Sequence, residues 1–216
     1  LILKDLNSER DKNFLLTYNN EKNLVVKISN TLESNKILDL QDYVLTSLNK
    51  RSSIKKIIPK KIHKSIKLYF DENRCPCSVR ILSYIEGTIF SNYIHSQELE
   101  CSLGSCIGIL SKELQNLGHE AAFRIFEWDP SSIDWIDKYL YIFKSKQKNI
   151  IKKNLNEYET FINKNKNNLR YSLTHGDPNN YNLVVSNNQI AGLLDYGDMI
   201  FAPTINDLAI CLSYVL

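Results

Sequence analysis

Three residues near the end of the chain, Asp177, Asn182 and Asp195, combine the right types for chemistry at a regular spacing. They lie in THGDPNNYNLVVSNNQIAGLLDYG, Thr174 to Gly197, where Asn182 follows Asp177 by five residues and Asp195 follows Asn182 by thirteen. An amide oxygen and a carboxylate are hard ligands of the kind a Mg²⁺ ion takes. A second carboxylate suits a base that accepts the proton of an attacking hydroxyl. Together these are the parts of phosphoryl transfer from a metal-bound nucleotide.

Such residues act only if the chain brings them to one place. LVVS (Leu183–Ser186) and the run from Ile190 form a hairpin signal around Asn187-Asn188, which would carry Asn182 and Asp195 to adjacent strand ends. Upstream, NFLLTY (Asn13–Tyr18) and NLVVKIS (Asn23–Ser29) flank a turn cluster at Asn19-Asn20-Glu21-Lys22. A strand-like segment opens the chain. A helix is expected from about Ser34 to Leu48, with Ile37, Val44, Leu45 and Leu48 on one face and Gln41 among them. SIKLYF (Ser65–Phe70) and SVRILSYI (Ser78–Ile85) read as two further strands around a turn at Asp71, Glu72 and Asn73. After Gly87 the pattern becomes helical: Leu99, Leu103, Ile107, Leu110, Leu114 and Leu117 share a face, with Gly118 as a cap. Ser132 to Phe161 reads as one or two helices, and a last helix follows Pro203-Thr204.

HGDPNNYN and LLDYGD resemble the His-Gly-Asp-(four residues)-Asn and Asp-Phe-Gly-type motifs of the aminoglycoside phosphotransferase and small-molecule kinase superfamily. The wider pattern, from LNSERDKNFLL through VVKISN and RILSYIEG to LLDYGDMIFAPTINDLAICLSYVL, is similar to the hydroxylysine kinase branch. The resemblance implies an α+β, bilobal, protein-kinase-like fold. It divides the chain into an antiparallel-sheet lobe over 1–85 and a mainly helical lobe over 86–216. Relatives of this branch continue with further helices, so a C-terminally truncated chain, or the kinase domain of a larger fusion, is expected.

The resemblance also implies roles. Asp177 is expected to be the catalytic base, Asn182 and Asp195 to hold Mg²⁺, and His175 to anchor the loop, with Gly176 and Gly197 supplying backbone freedom. Lys27, on the third strand, alternates with Val26 and Ile28 and would reach the phosphates of ATP or GTP. Ser83 to Glu86 is the expected hinge, with Ser83 and Ile85 near the base. Two departures stand out. The residue aligned with the usual helix glutamate is Gln41, which would hydrogen-bond Lys27. SERDKN (Ser8–Asn13) replaces the glycine-rich phosphate loop, with Ser8, Arg10 and Asn13 as side-chain contacts or as an ordinary turn. Asp198, Glu127 and Asp129 are candidates for an amine-bearing acceptor, while Trp128 and Asp129-Pro130 also read as core and turn.

The implied activity moves the γ-phosphate of ATP or GTP to a hydroxyl of a small amino alcohol, hydroxylysine-like first. Aminoglycoside, choline, ethanolamine or homoserine acceptors are the alternatives, as is a nucleotide-binding module without turnover. A net charge of +3 over 216 residues does not by itself indicate nucleic acid. The lysines of Lys55 to Lys67 interleave with isoleucines and fit a solvated loop running into a strand. No apolar run approaches the roughly 18–20 residues of a membrane helix. Five cysteines, an odd number without common zinc spacing, point to reduced thiols and a cytoplasmic location.

Overall fold

The computed structural model describes residues 1–18, 22–69 and 76–215. The turns expected at Asn19 to Glu21 and Asp71 to Asn73, and also Cys75, lie outside the described residues. The first part of the chain forms β1 (Ile2–Leu6), β2 (Lys12–Tyr18), β3 (Lys22–Ile28), α1 (Asn35–Leu48), β4 (Ile66–Tyr69) and β5 (Pro76–Ser83). The strands make one antiparallel sheet in the order β1-β2-β3-β5-β4. Its register sets Asn13 opposite Lys27 and Lys27 opposite Arg80. Residues directly opposite each other share a face, so these three form a polar row across three strands.

α1 starts where Ser34 accepts a hydrogen bond from the Lys36 N–H at 3.3 Å. Its buried stripe is Ile37, Leu38, Leu40, Gln41, Val44, Leu45 and Leu48, so the apolar periodicity and the Gln within it are both realised. The lysine-rich stretch after it is a turn followed by a single bridge from Lys61 to Leu82, then β4. Its isoleucines Ile54 and Ile58 are buried, and Lys61 pairs with Asp42 of α1.

The second part contains β6 (Thr88–Ile89), α2 (Gln97–Leu114), a 3₁₀ segment (Ile136–Ile142), α3 (Ser145–Asn165), β7 (Tyr171–Thr174), β8 (Leu183–Ser186), β9 (Gln189–Leu193), β10 (Ile200–Pro203) and α4 (Ile205–Leu212). The strands pair as β6-β8-β9 and β10-β7. Asn187 and Asn188 both take positive φ, 51° and 56°, as a tight two-residue hairpin turn requires. α2 presents Leu99, Leu103, Cys106, Ile107, Leu110 and Leu114 inward. It ends before Leu117, and Gly118 does not take the left-handed conformation of a helix cap, contrary to the cap expected from sequence. The stretch from Ser132, expected as one or two helices, is divided: a 3₁₀ segment with only Leu140 buried precedes α3, and no residue of α3 is buried.

One apolar cluster spans both parts, joining Leu40, Val44 and Leu48 of α1 to Phe90, Leu99 and Leu110, and on to Leu173, Leu183, Leu193 and Met199. The β8–β9 hairpin is also tied to α2 by the Ile190 N–H donating to Ser102 Oγ at 2.9 Å. The hairpin of β8 and β9, whose ends carry Asn182 and Asp195, therefore rests on the buried face of α2. Leu110 has no exposed surface. Replacing it with alanine is expected to cost about 2–5 kcal/mol, read from the urea midpoint with an unchanged m-value.

Candidate active site

His175, Gly176 and Asp177 follow β7 directly. Asp207, wholly buried in the first turn of α4, accepts the N–H of His175 at 2.9 Å and that of Gly176 at 3.0 Å. One helical turn later, the Cys211 thiol donates to Pro178 O at 3.1 Å. Burial pushes this thiol up, which keeps it a donor. α4 thus grips the loop at three points, His175, Gly176 and Pro178. The sequence reading assigned no role to Asp207. The signal available was a lone acid within the apolar helix INDLAICL.

The His175 ring is fully buried. Its Nε2 lies 3.0 Å from Leu194 O, and its Nδ1 accepts the Asp177 N–H at 3.3 Å. This is the neutral tautomer with the proton on Nε2. The ring therefore ties the Asp177 loop to the strand end that carries Asp195. Gly176 has φ +85°, and a Cβ there would overlap the Asp198 backbone. No residue other than glycine fits without displacing one loop. Gly197 has no such φ; its Cα faces Asp195 Oδ1 instead, so the freedom expected of it is not used.

The Asp177 carboxylate accepts both Oδ contacts from Asn179 Nδ2 at 2.9 Å and one from Asn182 Nδ2 at 3.0 Å. Burial, followed by the charges of Asp198 and Asp195, raises its pKa despite His175 and Asn179. Asn182 is further held by its Nδ2 donating to Asp177 O at 2.8 Å. The Leu194 N–H donates to Asn182 O at 2.7 Å, which places Asn182 beside Asp195. Asp195 is left-handed at φ 54°, a conformation that Asp tolerates better than most residues. Its Oδ1 meets Lys27 Nζ at 2.8 Å and the Gly197 N–H at 3.3 Å. Desolvation opposes its ionisation, but the Lys27 ammonium outweighs it and lowers the Asp195 pKa.

These bonds bear on whether the site suits a metal ion. Asn182 Oδ1 and Asp195 Oδ2 make no hydrogen bond among the described residues, while the other polar atom of each side chain is engaged. The two free atoms are hard oxygens on adjoining strand ends, a donor set that fits a divalent cation of the Mg²⁺ type.

Lys27, 8% exposed, bridges Asp195 and Asp11, the latter at 3.5 Å. Arg10 reaches Asp198 at 2.5 Å. The loop between β1 and β2 thus meets the opposite wall through Arg10, while its Asp11 turns back onto Lys27 of the sheet. Ser8 instead closes a local turn onto Asp11 O. Asn13 is not in the loop but in β2, next to Lys27, with its Oδ1 buried and without a partner among the described residues.

The expected bond from Gln41 to Lys27 is not formed. Gln41 Oε1 accepts instead from Arg80 Nη1 at 2.5 Å, because Arg80 rises from β5 on the same face and Lys27 is drawn away by two carboxylates. Ser83 is also committed: its N–H donates to Lys60 O and its Oγ accepts the Lys60 N–H, both at 2.8 Å. Ile85 packs its side chain against Gly192, where a Cβ would stand only 2.7 Å away.

Of the acceptor candidates, Asp198 lies in the cleft, whereas Glu127 is exposed. Asp129 closes a turn by accepting the Ser131 N–H at 2.9 Å and Asn206 Nδ2 at 3.2 Å. Trp128 is 68% exposed, so it is not core. Arg124, for which no role was expected, donates from Nη2 to Gly197 O at 2.9 Å and Met199 O at 3.2 Å and so supports the segment that follows Asp195.

A strand-rich lobe facing a helical lobe, with these loops between them, is the kinase-like architecture of solved small-molecule kinases. The amicoumacin kinase hAmiN in complex with AMP-PNP, Ca²⁺ and Ami superposes with a TM-score of 0.72 at 15% identity, over 99% of this chain and 64% of that one. A microcompartment-associated aminopropanol kinase gives 0.66 at 17%, over 99% and 69%. The chain belongs to the phosphotransferase enzyme family, whose model matches residues 3–216. Curated relatives include the hydroxylysine kinases of Xenopus laevis, 29% identical over 64% of this chain, and of Danio rerio, 24% identical over all of it. These alignments take in 41% and 65% of the respective relatives' lengths.

Removing the Asp207 carboxylate leaves two buried N–H groups unpaired. Asp207→Ala is expected to cost on the order of 1–3 kcal/mol for each, measured by urea unfolding. Hydrogen exchange at His175 and Gly176 should accelerate with it.

Proposed function

We propose that this chain transfers the γ-phosphoryl group of ATP or GTP, as its Mg²⁺ complex, to a hydroxyl of a small amine-bearing molecule. The observation that carries this reading is the joint placement of Asp177, Asn182, Asp195 and Lys27 around one cleft. The metal would be held by Asn182 Oδ1 and Asp195 and would neutralise charge on the phosphates. Lys27, poised beside Asp195, offers an ammonium to the phosphate oxygens. Residues 1–85 would supply the nucleotide side of the cleft and residues 86–216 the rest.

Asp177 has the position of a general base, and burial moves its proton affinity in the direction that role needs. It accepts N–H bonds from Asn179 and Asn182 that fix its plane, and burial raises its pKa toward the working range. A hydroxyl bound against it is oriented for in-line attack, so the rate gain comes from positioning and charge neutralisation rather than from a covalent intermediate. A hydroxylysine-like acceptor is favoured, because curated relatives aligned over nearly the whole chain bear that name. Arg10 and Asp198, joined across the cleft, would meet the phosphates and the acceptor ammonium respectively.

Nucleotide turnover measured with a panel of amino alcohols tests this reading. Asp177→Asn is expected to lower kcat by roughly 10²–10⁴ while leaving Mg²⁺-nucleotide affinity nearly unchanged. In the wild type, activity should fall as pH drops through the raised Asp177 pKa, so the acid limb lies above the ordinary aspartate value of about 3.9. Equal, slow turnover by wild type and variant with every acceptor would refute the proposal.

A further inference from the structure

We propose that Arg80 is a positioning residue of the nucleotide site, locking the Gln41 amide so that Nε2 is presented as a donor to the metal-bound phosphates beside Asp195 and Gly197. This rests on the reading of the cleft as a Mg²⁺-nucleotide site. Arg80 is 1% exposed, stands opposite Lys27 in the sheet, and among the described residues makes a single side-chain hydrogen bond, Nη1 to Gln41 Oε1 at 2.5 Å. Its Nε and Nη2 are buried without partners among the described residues. Two such unpaired donors on a buried cation are a liability to stability, and an apolar side chain of similar length would remove it.

What the guanidinium supplies instead is direction. It has donors only, so it compels the Gln41 amide to turn its oxygen toward β5. Nε2 then faces the other way. A Cβ built on Gly197 would lie 3.8 Å from Gln41 Nε2 and 3.3 Å from Asp195 Oδ1, so the amide nitrogen borders the metal-side segment. Nε2 makes no hydrogen bond among the described residues and is the polar atom left for a ligand. A glutamate at position 41 would pair with Arg80 but leave its second oxygen bordering Gly197, on the side where Asp195 Oδ1 also lies, bringing like charge toward like. The Arg80–Gln41 pair avoids this and leaves Lys27 to bridge Asp195 and Asp11.

The test is calorimetry of AMP-PNP with and without Mg²⁺, together with thermal melting, on the chain and its variants. Arg80→Met is expected to melt no lower than wild type yet to lose about tenfold of the Mg²⁺-dependent gain in AMP-PNP affinity. Gln41→Met should show the same loss, and the double variant no more than either alone, since the two residues act as one unit. Arg80→Lys, which still donates to Oε1, should retain most of the gain. If Arg80→Met does not fold, Gln41→Met and Arg80→Lys decide the matter. An unchanged Mg²⁺-dependent gain in the variants would overturn the positioning role alone. So would a lowered melting point with no change in nucleotide affinity. A wild type that binds AMP-PNP no better with Mg²⁺ would overturn the proposed function as well, and this role with it.

Discussion

The carboxylate of Asp207, lying across the N–H groups of His175 and Gly176, is the contact on which the rest of the site depends. Placing a charge where no water reaches it is costly, and burial accordingly raises the Asp207 pKa in spite of both bonds. That cost is offset in part by satisfying two backbone donors that the sharp turn after β7 would otherwise leave unpaired. Because α4 follows β10 directly, the grip also joins two distant stretches of sequence. The His175 ring extends the linkage to Leu194, and through it to the strand end of Asp195. Asp177 and Asp195 are thus held in one hydrogen-bonded frame before any ligand arrives.

The sheet answers this frame with charge. Asn13, Lys27 and Arg80 stand in a row, yet each meets a different environment. Lys27 is balanced by two acids, Arg80 by a neutral amide, and Asn13 by nothing among the described residues. Arg10 and Asp198 add a further pair across the opening. An entering polyphosphate would compete with Asp195, Asp11 and Asp198 for these cations, so ligand binding is in part an exchange of anions and should weaken with salt.

The residues that could be read from sequence were those whose roles follow from local spacing. Asp177, Asn182 and Asp195 flank one short hairpin, and the Asn187-Asn188 turn leaves little choice in how its ends meet. The stripe of α1 was equally plain, Gln41 included. Arg80 and Asp207 were not readable in the same way. Arg80 sits in SVRILS as an ordinary alternating strand residue, and its partner follows from a register set across long connections. Asp207 has meaning only once α4 is folded back on a loop about thirty residues earlier. The pairing of Lys27 failed for a similar reason: Asp11 and Asp195 compete for it, and neither is visible as a neighbour in the chain.

Gly176 presses so closely on the backbone of Asp198 that not even a methyl group fits between the loops. The two segments therefore cannot slide or separate independently without losing that contact, the Asp207 grip and the His175 bridge together. Mechanically they are one anvil. The opposing part, the Arg10–Asp11 turn, reaches across the opening through the Arg10–Asp198 pair, whose arginine is half exposed, and pairs open to water are weak. Any breathing that admits a ligand is thus confined to one side of the cleft, and a cross-link between that turn and the metal-side segment would shut it without touching a reacting group.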